Sequence, residues 1–410
     1  MDNFTSFLFT YFLDKIYIAD FILIKFNERI NIKMKFYLGR QEIENLLSKD
    51  NDSIFLGKEP IKTMPLYFVA KEAGSTVKLT EAGTATHPWN IETSSDNKTW
   101  ATYTMGSTIT LSNINDRVYF RAVDSNESFE GSADNFHQFV MTGIIASSGD
   151  CMSLINKNME EASLYDFAFA KLFMDCTSLI TAPYITAVEL TVSCYRNMFR
   201  NTSIINAPTL VAKDIYDFSY AFMFQQCNNL IAAAPINVDS TSEKSFYRMY
   251  YGCTSLETSS TITCETMATY ACQYMFAECT SLVNANDINC TKIESGGCEY
   301  MFENCTSLKT SPAISATVLL DYCFHFMFQG CSSLENAPEL SAMSVPFNGY
   351  CFMFRYCDSL KVPPALPALT IGENAYYGMF ESSGVEYCPD LPAENVPKEA
   401  YRGMFYMNTH

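Results

Sequence analysis

The amino-acid sequence predicts a mostly β protein with short helices or turns: a solenoid of about ten 26-residue coils, preceded by a small β-sandwich-like domain. Three observations carry that expectation. A single pattern returns in register from about residue 149 to the C-terminal end. Before it, short runs of alternating apolar and polar residues are separated by Gly, Asn, Asp and Ser clusters. The 410 residues, 48% hydrophobic and 18% charged, are too many for one compact core and too apolar for a disordered chain.

The repeat is clearest as Tyr-x-x-Met-Phe-x-x-Cys-Thr-Ser-Leu-x-x-x-Pro-x-Leu. Its aromatic anchors are Phe173, Phe199, Phe224, Tyr250, Phe276, Phe302, Phe328, Phe354, Phe380 and Phe405, at intervals of 26, 25, 26, 26, 26, 26, 26, 26 and 25 residues. Three positions after the anchors stand Cys176, Thr202, Cys227, Cys253, Cys279, Cys305, Cys331, Cys357, Ser383 and Asn408. Cys151 fits one period earlier. Three positions further on stand Leu179, Ile205, Leu230, Leu256, Leu282, Leu308, Leu334 and Leu360. One coil cannot bury such residues alone, whereas stacked coils turn them into continuous ladders. The ladder is therefore expected to be Phe173-Cys176-Leu179, Phe224-Cys227-Leu230, Phe276-Cys279-Leu282, Phe302-Cys305-Leu308, Phe328-Cys331-Leu334 and their equivalents.

Within a coil, Pro183-Tyr184-Ile185, Pro208-Thr209-Leu210 and Pro338-Glu339-Leu340 restrict the backbone and bury the residue after next. A short strand is expected through Leu-x-x-x-Pro-x-Leu. Tyr-x-x-Met-Phe is expected in a helical or turn segment, with Tyr300 and Phe302, or Phe324 and Phe328, sharing the interior. The cysteines read as small buried hydrophobes, since Thr202 and Ser383 replace them at similar volume. Neighbouring parallel strands are close enough for disulfides, but a uniform ladder offers no natural pairing. One ligand per coil and no Cys-x-x-Cys pair argue against a metal site, and no cofactor motif occurs.

The segments Met275 to Leu282 and Met301 to Leu308, with their Met-Phe-x-x-Cys-x-Ser-Leu pattern, resemble the surface-antigen, BspA-like type of leucine-rich repeat found in Bacteroidetes and their phages. The resemblance covers residues 149–410 and implies a leucine-rich-repeat-like solenoid and a role in surface display. The chain departs from the commoner family form, which has Ala-Phe and a shorter repeat, so ligands of other members are not carried over. Phe139 to Leu154 looks like the junction such proteins place between a β-domain and the repeats.

The domains are expected at 1–33, 34–64, 65–145 and 146–410. Residues 1–33 are a hydrophobic extension broken by Asp14, Lys15 and Asp20, short of a clean membrane span. It reads as a start placed ahead of Met34, as an anchor or docking helix, or as a signal peptide. In 34–64, Phe36 to Gly39 with Ile43 and Ile54 to Gly57 with Ile61 read as a pair of small hairpins or crossing strands forming an attachment module. They look like modules at the head of phage fibre or tail proteins, which implies virion proteins as partners. In 65–145 the strand candidates are Leu66–Ala70, Thr76–Thr80, Trp89–Glu92, Trp100–Tyr103, Ser107–Leu111 and Val118–Ala122, with Trp89 and Trp100 in the core.

The formal charge of −18, from 27 basic and 45 acidic residues, repels nucleic acid. No nucleotide loop, zinc-protease helix or serine elbow is present. Cys323 and His325 are the only arrangement resembling a nucleophile and base, with no nearby group to orient the ring. The sequence therefore points to a non-enzymatic protein that binds protein or glycan on a cell surface, with Tyr184, Arg200, Gln225, Gln226, Glu303, Gln329, Glu339 and Arg355 as the candidate binding surface. Alternatives are a structural virion component, in a homo-oligomer, and a glycan-active enzyme with a repeat accessory. At the C-terminal end Ser383 and Asn408 replace the ladder cysteine and Glu386 stands at the buried leucine position. This end is expected to be a cap or a subunit contact, because a buried lone carboxylate is costly.

Overall fold

The computed structural model describes residues 64–83, 88–159 and 163–408, together with the backbone of four two-residue strands nearer the N-terminus. Met1–Met64 and Pro65–His410 form separate compact units. In the first unit, β1 (Tyr37–Leu38) pairs antiparallel with β2 (Gln41–Glu42), and β3 (Phe55–Leu56) with β4 (Glu59–Pro60). Each is a two-residue antiparallel pair. The expectations for residues 1–33 lie outside the described residues.

The second unit opens with a small mixed β-sandwich. β5 (Leu66–Ala70), β7 (Ile91–Ser94), β8 (Ala101–Thr102), β10 (Arg117–Ala122) and β12 (Ile145–Ser148) share one sheet. β6 (Ser75–Ala82), β9 (Ile109–Leu111) and β11 (Phe136–Thr142) form the other. Strict alternation along β5 turns Leu66, Phe68 and Ala70 inward, as a half-buried strand requires. Phe68, Phe120 and Phe139 then meet edge to face, with centroids 4.8–5.7 Å apart. Trp89 is buried in this core. Trp100, expected there, is half exposed instead, with the Arg121 guanidinium 3.7 Å above its ring.

The sandwich is continuous with the solenoid. β12 pairs antiparallel with β5 and parallel with β13 (Leu179–Thr181), which belongs to the first coil. Phe139 N–H donates to the Leu172 carbonyl at 2.7 Å, and the Phe139 ring stacks on Phe173 at 5.3 Å. The first coil thus has its outer face covered by a sandwich strand. Gly149 makes the turn between the two with φ +76°, and a side chain there would strike the Pro65 carbonyl.

Beyond the junction runs a parallel β-solenoid with 26-residue spacing. Ile236, Ile262 and Ile288 pair in register, as do Thr266, Lys292 and Val318, and Ser344 with Thr370. Isolated bridges from Asn206 through Ala232, Thr258, Asn284 and Thr310 to Asn336 add a third line of contact. The expected strand through Leu-x-x-x-Pro-x-Leu is present only as short pieces, the bridges and the isoleucine pairs, and the Thr266 and Ser344 lines lie beyond it. Among the described residues there is no α-helix, only a single 3-10 turn at Cys151–Leu154. The Tyr-x-x-Met-Phe segment, open to helix or turn from sequence, is all turn.

His137 marks the junction energetically. It is 3% exposed, stacks on Trp89 at 3.9 Å and 8°, and touches Phe129 at 4.5 Å. Among the described residues neither ring nitrogen has a hydrogen-bond partner, and burial holds its pKa down to about 3. The folded pKa lies below the ordinary value of 6.5, so the neutral ring's contribution is intact above that pH and is lost as pH falls. Unfolding midpoints measured by circular dichroism should therefore decline below pH 6.5, and His137→Phe should flatten that acid limb relative to wild type.

Candidate recognition surface on the turn wall

One side of every coil is a wall of consecutive turns with a period of four residues. In the coil anchored by Phe302, Tyr300 and Asn304 have φ of 55° and 58°, and Gly296 has 65°. The same three positions are left-handed in the other coils, as at Tyr270, Tyr274 and Glu278. Alternate N–H groups close turns within the coil: Met301 to Cys298, Glu303 to Tyr300 and Cys305 to Phe302 carbonyls, at 3.1–3.2 Å. The others reach the next coil: Cys298 to Cys323, Tyr300 to His325, Phe302 to Met327 and Asn304 to Gln329 carbonyls, at 2.8–3.0 Å. Side chains alternate two in and two out. Met301 and Phe302 face inward, and Glu303 and Asn304 face outward.

The inward pairs build the expected ladder. Anchor rings stack from Phe139 through Phe173, Phe199, Phe224, Tyr250, Phe276, Phe302, Phe328, Phe354 and Phe380 to Phe405, with centroids 5.2–5.7 Å apart. Two coils place their apolar residue one position early. Ile204 and Val385 are buried, whereas Ile205, expected inside, and Glu386, at the matching position, are exposed. These are the coils followed by 25-residue intervals, so the missing residue falls between the cysteine position and the leucine position. The Glu386 carboxylate consequently needs no buried partner. Asn408 Oδ1 instead accepts the Ser383 N–H at 3.0 Å, joining the two polar substitutions.

The cysteine ladder does more than fill space. Each thiol donates to the anchor carbonyl of the preceding coil: Cys176 to Phe139, Cys227 to Phe199, Cys253 to Phe224, Cys279 to Tyr250, Cys305 to Phe276, Cys331 to Phe302 and Cys357 to Phe328, at 2.9–3.2 Å. Burial pushes these thiols upward in pKa, Cys227 to about 11 and Cys176 to about 12, which keeps the donor proton in place. All 16 cysteines are free, and Cys388 alone is exposed.

The outward rows gather most of the expected binding residues. Arg200, Gln225, Glu303, Gln329 and Arg355 occupy one row, one residue after the anchor, and Gln226 lies in the next. Tyr184 and Glu339 belong instead to the extended side of the coil. Gln225, expected at the surface, is only 8% exposed because adjoining coils cover it. Gln329 donates to Glu303 at 2.9 Å; burial raises the Glu303 pKa and this bond opposes the rise. Arg355 directs Nε and Nη2 at one Glu381 oxygen, at 3.0 and 2.7 Å. Tyr251 donates to Glu278 at 2.7 Å and is raised to about 12 by burial and by that carboxylate.

Sequence reasoning missed a second aromatic ladder on the outside. Tyr274, Tyr300, Phe326 and Phe352 are half exposed and stack with centroids 4.5–4.9 Å apart, so Tyr300 does not share the interior with Phe302. It ends at Gly378, over whose Cα the Phe352 ring lies. The four-residue period was the signal that would have found it. His325 also lies outward, with Nδ1 2.8 Å from Glu299 of the preceding coil, an orienting carboxylate invisible from local sequence. Cys323 faces inward and is fully buried, so the two are not assembled as nucleophile and base.

At the edge of the wall an open pocket of about 700 Å³ is lined by Leu164, Asp166, Val188, Glu189, Asp214 and Tyr216. Among the described residues no group of His, Cys, Asp and Glu could hold a metal ion, and no helix is long and apolar enough to cross a membrane. Comparison with family models, curated proteins and solved structures found no match.

The thiol ladder yields a two-part expectation. Cys305→Ala should cost about 1–2 kcal/mol in denaturant unfolding, from a lost hydrogen bond and a small cavity. Because the folded thiols titrate above their ordinary value of 9.0, their stabilisation is complete below that pH and is lost as pH rises through the folded values. Stability should therefore drop steeply in alkali, and native thiol labelling should modify Cys388 before any other cysteine.

Proposed function

We propose that the chain is a non-enzymatic binding or adhesion protein, displayed on a bacterial cell or a phage particle, that recognises protein or glycan. Its recognition surface is the turn wall of about ten leucine-rich-repeat-like coils. One observation carries this reading. The inward pair is nearly constant, as in Met275-Phe276, Met301-Phe302, Met327-Phe328 and Met353-Phe354, whereas the outward pair before it changes from coil to coil. That pair runs Arg196-Asn197, Ala221-Phe222, Tyr247-Arg248, Gln273-Tyr274, Glu299-Tyr300 and His325-Phe326. A scaffold with no role outside itself has no physical need for such variety, while a rigid surface that reads a ligand does.

A second reading, a structural virion component attached through residues 34–64, is favoured by the two hairpins, which repeat at identical positions 18 residues apart. Purified particles separate the two: stoichiometric protein in the virion supports the structural role, and its absence there removes it.

The wall itself is tested by charge reversal. Glu303→Arg with Arg355→Glu should lower adhesion of protein-coated beads to host cells or immobilised glycans at least tenfold, with thermal unfolding little changed. Glu339→Arg, on the extended side, should leave adhesion within a factor of two. Equal loss in both would place recognition elsewhere.

A further inference from the structure

The first coils of the wall carry a cluster of positive side chains that, among the described residues, forms no ion pair. Lys171 N–H donates to the Arg196 carbonyl at 2.9 Å and Asp175 N–H to the Arg200 carbonyl at 2.9 Å, so the cross-coil bonds set Lys171 beside Arg196 and carry Arg200 one turn further along. Lys171 Nζ is fixed by the Ala133 carbonyl at 2.7 Å and lies 4.1 Å from the Phe136 ring centre. The Arg196 guanidinium lies over Phe218 and Phe222, at 5.3 and 5.5 Å from their centres. Its neighbours in the row are Ala170 and Ala221, which offer it no polar partner. Arg200 Nε is buried without a hydrogen bond. Asp175, the carboxylate beside it, has its Oδ1 engaged by Asn201 Nδ2 at 2.9 Å.

Such a cluster stands against the acidic balance of the chain. Acidic residues number 45 against 27 basic ones, and Arg355 and Arg402 each have a glutamate. Here, among the described residues, neither Arg196 nor Arg200 has an ion pair. Burial, and then the two arginines, push the Lys171 pKa down, while Asp134 opposes the change. The cluster is a partly desolvated cation site in which Arg200 Nε has no hydrogen-bond partner and neither guanidinium has a carboxylate.

We propose that Lys171, Arg196 and Arg200 bind a single oxyanion, a carboxylate, sulfate or phosphate group. A guanidinium fork matches such a group with two parallel hydrogen bonds, and a ring stacked on its face holds the fork flat. The ligand carries one such group and is not a polyanion, because Asp134 and Asp175 flank the site and the net charge is −18. The proposal rests on the wall being a recognition surface and names the chemistry recognised at one end of it.

The test is thermal unfolding of the full chain at fixed ionic strength, with chloride replaced by sulfate, inorganic phosphate or glucuronate. A saturating oxyanion should raise the midpoint by roughly 2 °C. Arg196→Gln and Arg200→Gln should each abolish the rise, Arg200→Lys should weaken it, and Arg355→Gln should keep it. Reading the rise within each variant removes both its own stability change and the general salting-out effect of sulfate. A response to glucuronate identifies a sugar acid as a sufficient source, and a response to inorganic anions alone identifies the free tetrahedral ion. No rise in wild type, or an equal rise in Arg196→Gln and Arg200→Gln, overturns the site. Loss of the anion response with bead adhesion intact overturns this site alone. Loss of adhesion in the Glu303/Arg355 variant on an unaltered fold leaves it standing.

Discussion

The structure depends on a backbone that is left-handed at every fourth residue along the turn wall. That conformation turns two consecutive side chains inward and the next two outward. It also aims alternate N–H groups at the carbonyls of the following coil. A side chain with a Cβ is disfavoured there by about 1–2 kcal/mol, and each coil carries three such positions, as at Phe218, Phe222 and Gln226. An isolated coil would not hold this shape. Stacking supplies the compensation: each strained turn gains hydrogen bonds to the next coil only when that coil is present, which makes the array cooperative along its length.

Two features strengthen this stitching. The thiol ladder adds a second donor to anchor carbonyls that already accept one from within their own coil, as Phe276 does from Cys279 N–H and from Cys305 Sγ–H. Alanine would fit the space without donating, and valine would crowd it, so cysteine answers both needs. Thr202 departs from the pattern by bonding the carbonyl of its own anchor, Phe199, at 2.9 Å. The outer rings answer the strain differently. Tyr274, Tyr300, Phe326 and Phe352 are bulky residues in a region that favours glycine and asparagine. They keep it through face-to-face contact with one another, contact that exists only between coils.

The period, the anchors, the cysteine positions and the N-terminal strand pairs were legible because each repeats at fixed spacing, the last as two Leu-Gly pieces 18 residues apart. The turn wall was not. A period of four lies close enough to the helical 3.6 that Tyr-x-x-Met-Phe reads as helix or turn alike, and only tertiary hydrogen bonding decides between them. The one-residue shifts at Ile204 and Val385 were hidden for a related reason. Spacing locates the short coils but not where within them the residue is missing, so Ile205 and Glu386 inherited an inward place that their neighbours take. Trp100 shows the limit of composition: a tryptophan beside Arg121 can cover a cation at the surface as readily as fill a core.

The same backbone rule sorts the surface into rows with different freedom. The rows two residues before and two after the anchor are left-handed, and they lean on glycine, asparagine or stacked rings: Asn197, Gly378 and Gly403 in one, Asn201, Gly252, Asn304 and Gly330 in the other. The rows three before and one after have no such restriction. They hold Arg196, Glu299 and His325, and Arg200, Glu303, Gln329, Arg355 and Glu381. A substitution in an unrestricted row changes what the wall presents without disturbing the turn that presents it, whereas one in a left-handed row changes both. Variation in charge can therefore accumulate in these unrestricted outward rows at little cost to folding, and they hold the Glu299–His325 and Arg355–Glu381 pairs and the unpaired Arg196 and Arg200.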